Sequence, residues 1–406
     1  MNSPSFFRRA AFLFAFGAAS TVLFSIALTN ILMALALACL LLSGERLRFP
    51  PVHWPLAAFF AGTVLSLMLG PEPSLANPQI RKFFVFLMLL VVASAFRDLN
   101  AVRRLTLLWA GIASLAALRS FIQFSQKLDE ARRLGRPFYE YYVGERTTGF
   151  MSHWMTFGGQ QAIVLLMIGA FVFWAPVRGR VKALLVAASA VIGLSIVLGM
   201  TRGIWLGAAA GAVYLLWSWK RWSVLALPVA AAVVVLAGPS ALRERVSSVS
   251  APKGELDSNM HRVITWRTGV RMIQAHPLLG LGPEQVNRQF KSYLPPDVPQ
   301  PLPAGWYGHL HNIYLHYAAE RGIPTMLALM WLLAKVVWDF RRALPSAGAG
   351  ARAVLHGAIA VVIAILVTGV FELNLGDSEV LMLFLVIVGA GYLAAAQQEP
   401  AAHEPA

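Results

Sequence analysis

Residues 182–219 read KALLVAASAVIGLSIVLGMTRGIWLGAAAGAVYLLWSW, an apolar run with one polar break, at Thr201-Arg202. An α-helix rises about 1.5 Å per residue, so a single helix of this length would extend ~57 Å, far beyond the ~30 Å hydrocarbon core of a bilayer. The run therefore predicts two membrane-spanning helices joined by a tight turn. That turn holds the charged Arg202 close to the membrane surface.

Similar apolar runs recur along the whole chain of 406 residues, of which 58% are hydrophobic and 13% charged. A soluble domain of this size needs more polar residues to cover its surface, so the surplus apolar surface must face lipid. The pattern predicts an all-α, polytopic integral membrane protein with about twelve transmembrane helices. The predicted spans are 10–25, 27–43, 52–70, 83–96, 105–124, 154–175, 182–200, 203–219, 221–237, 313–338, 353–371 and 378–396.

Basic residues give the orientation of these spans. With the N-terminus in the cytoplasm, every predicted inner loop carries at least two Lys or Arg, whereas the short outer turns at 71–78 and 372–377 carry none. This asymmetry follows the positive-inside rule and predicts that both termini are cytoplasmic. The net charge of +15 comes from Lys and Arg in small clusters between apolar runs, so we expect membrane lipid rather than nucleic acid as the partner.

Two outer segments are too long to be plain connections, and the longer one, 238–310, predicts a large periplasmic loop. Apolar residues at helical spacing from Val263 to Ile273 predict an amphipathic helix on the membrane surface, ending before Pro277. The predicted organisation has four parts: spans one to nine with an outer loop at 125–153 (1–237), the periplasmic loop (238–310), spans ten to twelve (311–396) and a cytoplasmic tail (397–406).

Four polar residues lie at or beside the outer ends of predicted spans: Arg146, Arg202, Arg262 and His311. A charge at membrane depth is costly and calls for a reason. The ordinary reason for a terminal arginine is that its side chain reaches lipid phosphate, and a histidine beside an asparagine at a helix start is often a structural hydrogen-bonding group. The four are singled out as candidates because of the motifs around them.

The same segments exclude several chemistries. No Asp-x-Asp pair occurs in an outer segment, although Glu255-Leu256-Asp257 is a Glu-x-Asp pair in the 238–310 loop. The i, i+2 spacing of His309 and His311 would point them apart on a helix, so no metal site is expected. There is no P-loop, so neither ATP nor another cofactor is expected. An arginine-rich, acid-poor site favours an anion such as phosphate or pyrophosphate, held by charge-assisted hydrogen bonds.

Four motifs together resemble the O-antigen ligase and polymerase superfamily. His311-Asn312-Ile313-Tyr314-Leu315 with Glu320-Arg321-Gly322 resembles the family's His-Asn-x-Tyr-Leu…Glu-x-Gly signature. Arg262…Trp266 with His276-Pro277-Leu278-Leu279-Gly280-Leu281-Gly282 resembles its large-loop motif, Thr201-Arg202-Gly203 its Ser/Thr-Arg-Gly junction, and the segment from Arg146 to Phe150 its Arg-x-x-Gly-x-Phe. These motifs occur in the same order as in the superfamily, and together they extend over most of the chain.

This resemblance implies a glycosyltransferase like those of the GT-C type, in the bacterial inner membrane, with its active site facing the periplasm. The donor would be a glycan on undecaprenyl pyrophosphate and the acceptor lipid A–core oligosaccharide, as in lipopolysaccharide biosynthesis. An O-antigen ligase fits the chain length best. An O-antigen polymerase and a protein O-oligosaccharyltransferase of the same superfamily remain alternatives.

The resemblance also suggests roles for individual residues. Arg202 and Arg262 would act as catalytic clamps on the pyrophosphate and His311 as the base for the acceptor hydroxyl. The substrate-binding candidates are Arg146, Asn312, Tyr314, Trp266 and Glu320.

A lipid-linked sugar transporter or flippase is the competing class. Transporters tend to show two similar halves with charges in mid-membrane. Here the charges collect at the outer face and one long loop breaks any symmetry, so transfer is favoured over transport.

Overall fold

The computed structural model describes residues 3–70, 82–250, 260–303 and 305–397, which are helical and contain no β-strand. The helices predicted as spans are α1 (Ser3–Thr21), α2 (Ile26–Leu42), α3 (His53–Leu69), α4 (Leu87–Ala95), α5 (Leu99–Arg133), α7 (Trp154–Trp174), α8 (Gly179–Leu198), α9 (Arg202–Trp219), α10 (Ala226–Ala237), α14 (Ile313–Ala343), α15 (Ala349–Gly369) and α16 (Ser378–Ala396). The outer segments contribute α6 (Phe138–Gly144), α11 (Ser240–Ser247), α12 (Met260–Ala275) and α13 (Gln285–Gln289).

The predicted membrane architecture is confirmed in its main feature. Six helices are long and apolar enough to cross a membrane, namely α5, α7, α8, α14, α15 and α16. Four shorter apolar helices include α2 and α3, and also α4 and α10 with the 3-10 turns that precede them. The protein is therefore an all-helical membrane protein, whereas the count of twelve spans stays a prediction. The predicted turn at 71–78 and the tail from residue 398 lie outside the described residues.

Helix α5 differs from the predicted span at 105–124. It begins after Asp98, whose side chain accepts a 2.9 Å hydrogen bond from the Ala101 amide, and continues to Arg133. Residues 125–133, predicted as outer loop, are thus helical. Polar residues at the helix end hid this continuation, because the apolar pattern of a span ends where lipid ends, whereas the hydrogen bonds of a helix do not.

The bundle is packed most densely around α7, α15 and α16, which are largely buried, while α8 exposes most of its surface. Buried polar side chains inside it have backbone partners. The Trp109 indole donates to the carbonyl of Ala19 at 2.8 Å, and the Gln160 amide donates to Val22 at 2.8 Å. Exposed apolar surface on the outer helices is what a bilayer would cover.

The amphipathic helix predicted near 263–273 is α12, and it ends before Pro277 as expected. Part of its apolar face packs against protein, whereas a position on the membrane surface stays a prediction. Ile264 and Met272 are buried in a second small core with residues of the 281–310 segment and Ala319 of α14. Sequence periodicity identifies an apolar face but cannot say whether lipid or protein covers it.

A break in α14 joins this outer unit to the bundle. Gly322 has φ of 83°, which interrupts the helix two residues before Pro324 and leaves carbonyl groups without helical partners. Loop amides supply those partners, since Leu281 donates to Ala319 at 2.9 Å and Gly282 donates to Glu320 at 2.9 Å. In the other direction, the Ile323 amide donates to the carbonyl of Pro277 at 2.8 Å.

We predict that Gly322→Ala destabilises the protein by more than about 2 kcal/mol, because the left-handed backbone disfavours a side chain. A Cβ there would also lie 1.9 Å from the carbonyl oxygen of Leu278. Gly111→Ala in α5 is the matched control, since its Cβ would meet nothing within 4 Å. Thermal melting in detergent should show a fall for Gly322→Ala alone. Equal melting temperatures would mean that the loop is not anchored at this break.

Candidate active site

The site begins at the tight turn between α8 and α9. Met200 there has φ of 48°, and its carbonyl accepts a 2.9 Å hydrogen bond from Nε of Arg245 in α11. Arg202 is the first residue of α9, and its guanidinium donates to Ser248 at 3.3 Å. Arg146 reaches the same turn by donating to Thr201 at 3.4 Å, and it lies 5.4 Å from the ring of Trp154. Two separate outer segments thus converge on one turn.

A fourth arginine, Arg262 from α12, joins the three arginines at this turn. Four arginines, Arg146, Arg202, Arg245 and Arg262, line a cavity of about 500 Å³, which we call the cationic cavity. Among the described lining residues, Glu372 is the single carboxylate. Such a wall favours an anion that carries more than one negative charge.

Burial and like charge set the electrostatics of the cationic cavity. Burial and the neighbouring charge of Arg245 lower the pKa of Arg146 to about 9. Burial also lowers the pKa of Arg262, with Arg245 adding to the effect and Glu372 opposing it. Both guanidinium groups remain charged at neutral pH, and a bound anion would relieve their repulsion.

His311 lies on the opposite wall, immediately before α14. Its backbone is left-handed, with φ of 48°, and its side chain is buried. Nδ1 lies 3.4 Å from Oε2 of Glu372, and Nε2 lies 2.9 Å from the carbonyl oxygen of Trp306. Burial alone would raise the pKa of Glu372, but the hydrogen bond with His311 leads the effects that lower it to about 2. The carboxylate is therefore ionised and can orient the imidazole.

The structure overturns the argument from the i, i+2 spacing of His309 and His311. That argument assumes a helix, but α14 begins only at Ile313, and the left-handed His311 turns its ring towards its neighbour. The two ring centroids lie 4.2 Å apart. Burial lowers the pKa of His309 to about 3, so this ring is neutral at physiological pH.

The other predicted substrate-binding residues lie outside the walls of the cationic cavity. Asn312 is the N-cap of α14: it accepts from the Leu315 amide at 2.9 Å and donates to the carbonyl of Val370 at 3.0 Å. Tyr314 donates to the carbonyl of Leu366 at 2.8 Å, and Trp266 is partly buried on α12. Their contact with substrate stays a prediction.

Glu320 lies next to a second cavity of about 330 Å³, which shares His153, Met155, His309 and Glu372 with the cationic cavity. Its carboxylate accepts from the Glu284 amide at 2.7 Å and lies 3.6 Å from His316 and 3.5 Å from Arg321. It therefore contacts an arginine and a histidine, and that histidine is His316, not His311. The second cavity has an apolar side formed by α7, α9 and α15.

Sequence reasoning missed four residues of the cationic cavity: Arg245, Glu372, His153 and His261. Arg245 lies in an outer segment, where the positive-inside rule makes a basic residue unexpected. Glu372 lies at the outer end of α15, where the cost of a charge applies to an acid as it does to an arginine. Applying that criterion to both signs of charge would have found Glu372.

Residues 187–330 match the model of a protein family described as O-antigen ligase (Wzy_C). The matched region runs from α8 through the outer unit into α14 and contains Arg202, Arg245, Arg262 and His311. Arg146 and Glu372 lie outside it. Among curated proteins, none matches the chain significantly.

We predict that Arg245→Lys weakens the binding of inorganic pyrophosphate by about 10-fold or more, since a hydrogen bond to a charged group contributes about 1.5–3 kcal/mol. Lysine keeps the charge but not the planar pair of donors. Calorimetry on the detergent-solubilised protein measures the affinity, and melting confirms folding. Arg288→Lys, at an exposed position of the same outer unit, is the control. Equal affinities for both variants would remove Arg245 from the site.

Proposed function

Because this chain is a member of the O-antigen ligase/polymerase superfamily, we propose that it is an O-antigen ligase. It transfers a glycan from undecaprenyl pyrophosphate to a sugar hydroxyl of lipid A–core oligosaccharide. The reaction takes place at the periplasmic face of a bacterial inner membrane and completes lipopolysaccharide. The arrangement of inner basic loops and a large outer loop at 238–310 supports this orientation.

The observation that carries the proposal is the convergence of four arginines on one cavity with a single carboxylate among its described lining residues. A pyrophosphate diester carries two negative charges and becomes more negative as its bond to the sugar breaks. Guanidinium groups fixed in advance at that position stabilise the transition state more than the ground state. Arg202 and Arg262 serve as the catalytic clamps, with Arg146 and Arg245 behind them.

Pyrophosphate is a good leaving group, so the reaction needs neither ATP nor a proton donor on that side. The acceptor hydroxyl attacks the anomeric carbon from the face opposite the pyrophosphate. One bond forms as the other breaks, and the configuration at that carbon inverts. The polyprenyl pyrophosphate leaves with the electron pair of the broken bond.

His311 is the base that takes the proton of the acceptor hydroxyl. Neutral imidazole carries one ring proton. When Nδ1–H donates to Glu372, the lone pair lies at Nε2, which is 2.9 Å from the Trp306 carbonyl in this structure. The acceptor hydroxyl takes the place of that carbonyl, and Glu372 stabilises the imidazolium that forms.

The remaining predicted residues support this pair or the glycan. Asn312 and Tyr314 fix the start of α14 against α15 and thereby hold His311 in place. Glu320 anchors the outer loop on α14 beside the second cavity. Trp266 offers an aromatic surface on which a sugar can stack.

The proposal predicts transfer from purified components alone. Purified protein, a glycan on undecaprenyl pyrophosphate and rough lipopolysaccharide should give a ladder of longer lipopolysaccharide without ATP and in the presence of EDTA. Activity lost with EDTA and restored by Mg²⁺ or Mn²⁺ would contradict the arginine mechanism. Elongation of the lipid-linked glycan itself would indicate a polymerase, and movement across liposomes without transfer would indicate a transporter.

We predict different defects for His311→Ala and Arg202→Lys. The first removes the base and should lower the transfer rate by roughly 10²–10⁴ with donor affinity largely kept. The second keeps the charge but loses the two-pronged contact with phosphate, so rate and donor affinity should fall together. Arg180→Lys, near the opposite end of α8, is the control for a lipid anchor. A fully active Arg202→Lys protein would mean that Arg202 is a lipid anchor. A fully active His311→Ala protein would mean that His311 is not the base and would make His309 the next candidate.

A further inference from the structure

We infer that His309, His311 and Glu372 form a binding site for a divalent transition-metal ion of the Zn²⁺ type. One ligand atom from each residue is available, and these atoms lie within 4.8 Å of one another. Nε2 of His309 is 3.5 Å from Oε1 of Glu372, and Nδ1 of His311 is 3.4 Å from Oε2. Ligands at tetrahedral angles around Zn²⁺, at bonds of ~2.0–2.1 Å, are separated by about 3.3 Å. The two nitrogen–oxygen distances are close to this value.

The second nitrogen of His311 has the contact that a metal-bound imidazole makes. Histidines that bind metals donate their other ring N–H to a carboxylate or a backbone carbonyl. Nε2 of His311 lies 2.9 Å from the carbonyl oxygen of Trp306. With the proton on Nε2, the lone pair of Nδ1 faces Oε2 of Glu372 at 3.4 Å, and a metal ion fits between these two ligand atoms.

The chemistry of the three ligands selects the class of ion. Two imidazoles and one carboxylate suit Zn²⁺ and its neighbours, whereas Mg²⁺ and Ca²⁺ prefer sites built from oxygen. His309 and Glu372 line both cavities, so the fourth position around the ion is open to water. Coordination through Nε2 of His309 moves its ring proton to Nδ1 and breaks the 3.2 Å contact with the His311 amide.

Binding of the ion has a consequence that rests on the proposed function. A metal on Nδ1 of His311 replaces the hydrogen bond with Glu372 and keeps the ring proton on Nε2. The imidazole then has no lone pair for the acceptor hydroxyl. Zn²⁺ is therefore an inhibitor at this site, and the enzyme that transfers the glycan is the metal-free form.

The direct test is binding, measured on the full chain without substrates and without a polyhistidine tag. Co²⁺ should give the visible absorption of a tetrahedral site, and added Zn²⁺ should displace it. His309→Gln should weaken Zn²⁺ binding by about 100-fold or more, beyond the ~10–100-fold expected for loss of an outer-shell partner. His276→Gln, whose native histidine bonds Tyr293 elsewhere in the loop, is the matched control and should leave affinity unchanged.

Transfer assays distinguish a failure of the metal-site proposal from a failure of the proposed transferase function. Micromolar Zn²⁺ should inhibit the wild-type reaction, and EDTA should restore it. A featureless Co²⁺ spectrum, or equal Zn²⁺ affinity in wild type and His309→Gln, overturns the metal site and means that a shared proton lies between His311 and Glu372. Tight binding without inhibition overturns the inhibitory role. Absence of transfer by the metal-free wild type instead contradicts the proposed function and leaves the binding result standing.

Discussion

The break in α14 at Gly322 is the constraint on which the rest of the site depends. A helix inside a membrane cannot leave backbone carbonyls without partners, because no water is present to satisfy them. Here the 277–284 segment supplies the missing amides, and Glu320 accepts one more from Glu284. This exchange of backbone hydrogen bonds fixes the outer unit on the bundle. It thereby places Arg262 of α12 opposite the start of α9, where Arg202 stands.

A second constraint is electrostatic. Burial and mutual repulsion both act against arginines crowded into this cavity, and together they lower the pKa of Arg146. Backbone and hydroxyl acceptors at the α8–α9 turn and just after α11 hold three of these guanidinium groups in place. An anion bound in the cavity would offset the repulsion. Perturbed ionisable groups gathered in one cavity are typical of a binding site.

Hydropathy alone could predict a helix at every assigned span, because lipid demands long apolar stretches whatever the tertiary structure. It also found Arg146, Arg202, Arg262 and His311, since a charge at a membrane boundary is conspicuous. Arg245 was not predictable, because its helix α11 looks like ordinary polar loop until it packs beside Met200. The packing of α12 against protein was not predictable for a related reason: its apolar partners come mainly from residues 281–310, which show no strong periodicity.

The region around His311 shows why spacing arguments fail in loops. On a helix, residues i and i+2 diverge, and the prediction of separated histidines followed from that geometry. The N-cap at Asn312 instead requires extended backbone, with φ of −163°, and His311 before it is left-handed. These two conformations bring the His309 ring to 4.2 Å from the His311 ring, with Glu372 from the end of α15 beside both. A carboxylate and two imidazoles then form one cluster. In the proposed mechanism, His311 acts as a base through Nε2 only when its Nδ1–H donates a hydrogen bond to Glu372.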